Sequence, residues 1–522
     1  MSSPEQTPHV ATYPIPSIRG RSNFWMVGHV FSMSRNTAQF EFVDDFNPKK
    51  DTIVRRKARE WVFRNRELTK CRNSHRELNN EQEWELEKAN KTAVLSPNPS
   101  PERIDSFDVL PNVGMKVDHI IEFYKHYLMH LSSSRKSKLG NAVLKVMASE
   151  RISFIVWLLA TTIIRDAVTG GQISPDARTY NLLAIQAIRE ESKKKIEDYS
   201  DHFFASLACL SACANFTGDY IAAKAHRDAM VRVLTLKGRG DLRRGIQQCE
   251  SWTQKAITWC EIHVAAQVPQ VPQVPYYPPP CKGMFPQNIT LEAESLKSRT
   301  LAHLPSLPPA FERLILELHQ LSLLQPKHAE GTTFRSVWPV YLETDPNGVH
   351  SLYRVEHMIL RLLSVQEGGS QMFLPVEIMF LEACQLFLWS AIRGLPLEMK
   401  MCDLFVHRLQ KAAMLVLHSI NDPTLLSIGQ PMDAVQGSST ILKQPRNNLD
   451  FVLIWALVLG TLVSGVGSRH QHAWFKEQLL QQILVKNAHI VRTVQDLKAV
   501  LKLFPYTDAF CGLGLTSLQI KF

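Results

Sequence analysis

Residues 451–467 read Phe-Val-Leu-Ile-Trp-Ala-Leu-Val-Leu-Gly-Thr-Leu-Val-Ser-Gly-Val-Gly. The stretch is either a bilayer span or a helix buried inside a large helical protein. Spanning helices need roughly 17–25 apolar residues, so this one sits at the lower limit. Gly460, Gly465 and Gly467, together with Thr461 and Ser464, weaken a span further. A second apolar run, Ile152–Ile164, is shorter still and is closely bounded by Arg151, Arg165 and Asp166. Both runs therefore predict buried core helices, and no membrane is expected.

Around them the apolar spacing is helical. Val117, Ile120, Ile121, Tyr124 and Leu128 recur at three, one, three and four residues, which places them on one helix face. The same reading predicts helices over 144–164, 177–196, 202–216, 219–236 and 244–266. Beyond 291 it predicts helices over 311–324, 351–363, 376–392, 398–420, 449–466, 474–486 and 490–503. Alternating β-branched runs with tight turns are nearly absent, and the lone Asn347-Gly348 joins segments that do not alternate. The fold class expected is all-α: a large array of about a dozen or more helices, with no fixed repeat length.

Composition shifts divide the chain. Residues 1–38 are polar and Pro-containing and are expected to be disordered; 39–95 form a basic helical arm and 96–112 a Pro-punctuated linker. A first helical block covers 113–266 and a second 291–522. Between them, 267–290 holds Pro269, Pro272, Pro275 and Pro278 at intervals of three. That interval matches the polyproline II turn, so the segment is expected to be a stiff spacer or a docking peptide.

Charge is concentrated in the arm. Eleven Lys/Arg and three Asp/Glu lie between Lys49 and Arg76, so +8 of the chain's net +10 falls there. Arg55, Arg56, Lys57, Arg59, Arg64, Arg66, Lys70 and Arg72 are the candidate nuclear-import or nucleic-acid contacts. Val54, Ala58, Trp61, Val62 and Leu68 form an apolar stripe beside them. A solvated face or import signal, contact with nucleic-acid phosphates and docking on an acidic protein surface are the three readings of such a helix. Phosphate contact would not read bases, because readout needs side chains aimed at base edges.

Motifs of chemistry are missing. The sequence holds no Gly-rich phosphate loop, no Gly-x-Ser-x-Gly elbow and no His-Glu-x-x-His. Cys209 and Cys213 sit among small residues and read as buried structural thiols. Cys249, Cys260 and His263 lack zinc-knuckle spacing, and His470 and His472 read as surface residues. No catalysis, metal or cofactor is expected. Nine scattered cysteines and a polar start are expected for a reduced intracellular compartment.

Three ordered stretches resemble the large fungal-specific transcription factor regulatory domain, the helical part of zinc-cluster activators. The first is Phe40-Glu41-Phe42-Val43 through Pro48, then Arg55–Arg59 and Arg64. Next comes Ala223–Val231, containing His226, with Gly238, Gly240 and Leu242. The third is Ile454–Gly460 with Trp455, then Trp474-Phe475, then Leu501–Phe504. The likeness covers about 38–515, and it implies that 113–522 form one regulatory domain. Arg239 interrupts the family's glycine pair, and the Cys-x2-Cys-x6-Cys opening of a zinc cluster is missing, since only Cys71 precedes Cys209. The resemblance implies a nuclear regulator without its own DNA-reading module. It would act through coregulators or other transcription factors, with weak DNA contact by the arm and homodimerisation as a further option. The alternative is a cytoplasmic helical scaffold docking through the Pro-rich segment and the arm.

Overall fold

The computed structural model describes residues 117–124, 146–170, 172–274, 285–304, 307–325, 346–367, 373–421, 447–467 and 469–512, with a few single positions beside them. Of these, 76% are helical and none forms a strand, so the all-α expectation holds. The helices are α1 Asp118–Phe123, α2 Arg151–Thr169, α3 Pro175–Glu191, α4 Asp201–Thr217, α5 Tyr220–Lys237, α6 Leu242–Gln247 and α7 Ser251–Ala265. They continue as α8 Gln287–Leu301, α9 Pro309–Leu323, α10 Pro346–Glu367, α11 Pro375–Phe387, α12 Lys400–Asn421, α13 Asn447–Ser464, α14 Gln471–Leu480 and α15 Val494–Leu501.

Local chemistry sets the helix ends. Ser174 caps α3 by accepting the Ala177 N–H, with Pro175 at the first helical position. Asp219, Asp241 and Thr493 do the same for α5, α6 and α15. Gly218, at φ +84°, closes α4 in the left-handed conformation, so that the Asp219 N–H reaches the Ala214 carbonyl.

Helices α2 and α3, α4 and α5, α4 and α7, α8 and α9, and α11 and α12 pack against each other extensively, and the two helical blocks join through α4 against α12 and α7 against α10. Residues 105–522 form one compact unit. Polar ties cross the junction: Arg408 donates to the Ala266 carbonyl at 2.8 Å, and Tyr220 Oη to the Lys400 carbonyl at 3.1 Å.

Two helices, Arg151–Thr169 and Pro375–Ile392, are long and apolar enough to cross a bilayer; 72% and 89% of their apolar windows are buried inside the fold. Residues 452–459 of α13 are wholly buried, as the opening stretch predicts.

Several boundaries differ from expectation. The helix predicted over 244–266 is two helices, because Asp241 caps α6 and the chain breaks at Cys249-Glu250. Helix α8 has no predicted counterpart, since only Ala293 and Thr300 of it are buried. Wide π turns at Leu388–Ile392 and Gln481–Lys486 replace regular helix, and a third at Asp508–Gly512 lies where no helix was expected. The residues 1–109, including the expected disordered start and the arm, lie outside the described residues.

Candidate functional site

Arg55, Arg56, Lys57, Arg59, Arg64, Arg66, Lys70 and Arg72 all lie outside the described residues. The remaining candidates separate into a surface helix and a core. His226 is half-buried on α5, and burial lowers its pKa against the opposing pull of Asp219. Gly238 ends α5 where a Cβ would stand 1.9 Å from the Asp241 carbonyl oxygen. The chain then passes through Arg239 at φ +58° and Gly240 at φ +95°. An arginine thus holds a left-handed turn that glycine adopts at lower cost. Gly245, which sequence reasoning passed over, faces the Leu234 carbonyl equally closely. The two glycines let α5 and α6 touch backbone to backbone.

Trp455, Phe475 and Phe504 converge in the core. Trp455 stacks on Phe504 with centroids 5.5 Å apart and donates its indole N–H to the Pro505 carbonyl at 3.1 Å. Phe475 lies so close to Gly460 that a Cβ there would stand 2.2 Å from the ring. Trp474 is half-buried and meets Phe475 edge-on at 5.0 Å. These residues pack the C-terminal helices against one another.

A polar cleft of about 350 Å3 opens beside the end of α2, lined by Thr169, Gly170, Glu398, Lys400, Asp403 and Arg469. Its charges are matched internally. Arg469 donates to Asp403 at 2.5 Å, to the Val463 and Val466 carbonyls at 2.7 Å and to the Leu397 carbonyl at 2.5 Å. Lys400 also pairs with Asp403, at 3.1 Å. The fifth N–H of Arg469 goes to the Met399 carbonyl at 3.4 Å, so the guanidinium holds helix ends together and has no donor left over for a substrate.

A buried histidine sits where the two blocks meet. His263 is fully buried among Trp259, Trp389 and Phe216, with ring centroids 4.4, 4.5 and 5.0 Å away. Neither ring nitrogen has a hydrogen-bond partner among the described residues. Contacts this close leave no room for a ligand. Cys209 is half-buried and Cys213 buried; burial lifts Cys209 to about 11 and Cys213 well above its usual value. Neither is a thiolate near neutrality. Among the described residues no three His, Cys, Asp or Glu stand close enough to hold a metal ion. His470 is exposed, whereas His472, expected on the surface, is half-buried with Nδ1 3.3 Å from Ser464 Oγ.

Burial also sets a pH response. It holds His319 down to about 3 and His263 well below its ordinary value. The unfolded chain protonates both near 6.5, while the fold does not. Stability is therefore complete above about pH 6.5 and falls below it, by about 1.4 kcal/mol per pH unit for each histidine. Urea midpoints should drop steadily between pH 6.5 and 5; a flat profile would show that these rings are solvated.

Comparison with known proteins yields no relative: no family model, no curated protein and no solved structure matches the chain.

Proposed function

We propose that this chain is a regulator of transcription that works by protein contact, with its basic arm serving nuclear entry or weak contact with DNA phosphates. The observation that carries the reading is charge segregation. The arm holds +8 of the net +10, so the remaining 494 residues are close to neutral. Support comes from a helical body whose cleft has its charges matched internally. The resemblance of the Trp455, Trp474-Phe475 and His226 stretches to fungal regulatory domains favours the nucleus as the place of action. Residues 1–208 contain one cysteine, Cys71, too few for a zinc cluster, so in this reading partners supply sequence readout. In this reading the protein is not an enzyme and needs no cofactor.

Purified full-length chain should bind duplex DNA without sequence preference, with Kd on the order of 10⁻⁴–10⁻⁶ M and a steep loss as salt rises. Reversing Arg55, Arg56, Lys57 and Arg59 to Glu should abolish that binding and move a fluorescently tagged chain out of the nucleus. Salt-independent binding together with unchanged localisation of the reversed chain would defeat the reading and favour the cytoplasmic scaffold.

A further inference from the structure

The start of the Pro-rich segment, residues 267–274, is folded back alongside α7 and does not project as a spacer. Pro269 and Pro272, three apart, are buried. Val268 and Val271, also three apart, are 63% and 54% exposed. The three-residue spacing thus gives the segment an inward proline face and an outward valine face, although the chain over 266–269 is a hydrogen-bonded turn and not yet an extended proline helix. After Pro272 the chain bends, and Val274 turns inward to 2% exposure.

What holds it down is a buried charge. Gln273 donates its backbone N–H to Glu261 Oε1 at 2.6 Å. Glu261 is 1% exposed and also accepts both short bonds from Arg227 Nη1, at 3.1 and 3.0 Å. Gln270 adds a bond to the Ala265 carbonyl at 3.3 Å, and Gln267 Nε2 one to Asn215 Oδ1 at 2.5 Å. A peptide N–H given to a desolvated carboxylate is about twice as strong as a neutral bond, so Glu261 is the chief anchor.

We infer that Val268–Val274 is a docking peptide stored in a closed state, latched by Glu261 of the Arg227–Glu261 pair, and that its partner is a domain with an aromatic groove for polyproline II. Recognition of Pro-x-x-Pro requires the proline rings to enter such a groove. Here the rings of Pro269 and Pro272 face the protein's own helices, so the groove domain and the body compete for one face. Breaking the Gln273 bond favours the partner. The inference is independent of the basic arm.

The test uses full-length protein and a panel of purified SH3 and WW domains as the probe. Gln273→Pro removes the N–H, and Glu261→Gln removes the charge while keeping the side-chain length. Both are expected to speed amide exchange at Gln270, Val271 and Val274. Both should raise capture by at least one panel domain about tenfold over wild type, the size of one hydrogen bond to a charged group. Adding Pro269→Ala and Pro272→Ala to Gln273→Pro should return capture to the wild-type level. Three results would overturn the idea: exchange unchanged in both variants, faster exchange without added capture, or capture that survives loss of the two prolines. A variant that fails to melt cooperatively is set aside, and the other decides.

Discussion

Trp455→Asp is expected to abolish cooperative folding of the helical body. The indole is fully buried, and it touches Phe380, Phe387 and Phe504 at centroid distances of 5.6, 6.3 and 5.5 Å. Losing those contacts alone costs about 3–5 kcal/mol, the range for a large aromatic truncated in a core. The carboxylate would then be desolvated with no cation beside it, and the Pro505 carbonyl would lose its donor. Typical domains hold only about 5–15 kcal/mol in total. Near-ultraviolet circular dichroism should lose its aromatic signal and the thermal transition should broaden or vanish. A melting temperature within a few degrees of wild type would show that α13 is not the core helix described.

Arg227→Met should be nearly as damaging, by about 3–5 kcal/mol, because it strands Glu261 as an unpaired charge in the interior. Arg227 is fully buried and Glu261 almost so. Burial already pushes the Glu261 carboxyl upward against the pull of the arginine. The companion change Glu261→Leu should recover most of the loss, since two apolar side chains of similar size require no charge to leave water. What stays lost is the Gln273 anchor. Chemical denaturation of the wild type, Arg227→Met, Glu261→Leu and the double variant measures the coupling directly. A loss in the double variant equal to the sum of the two single losses would show that the pair contributes no coupling.

Much of the architecture was legible because the helices announce themselves by period. The stripe of α1, the apolar run of α2, the unbroken apolar length of α13 and the prolines that open α9 and α11 are local signals. Misses came where the deciding contact is distant. Helix α8 buries so little that its stripe is faint, yet Thr300 on it donates to the Leu503 carbonyl at 2.5 Å, 203 residues away. The Cys249-Glu250 break depends on Asp201, whose carboxylate takes the Glu250 N–H at 2.5 Å. No window around 250 contains that partner. The basic arm was conspicuous from charge count alone. The latch was not, because Arg227, Glu261 and Gln273 belong to two helices and a loop and meet only when α5 lies on α7.

Arg469 has a consequence for synthesis. One guanidinium gathers carbonyls from Val463 and Val466 as well as from Leu397, 72 residues upstream. Until the ribosome has passed position 469, the close of α13 and the approach to α12 both present bare oxygen atoms to solvent. Translation halted just short of that codon would leave two seams open at once.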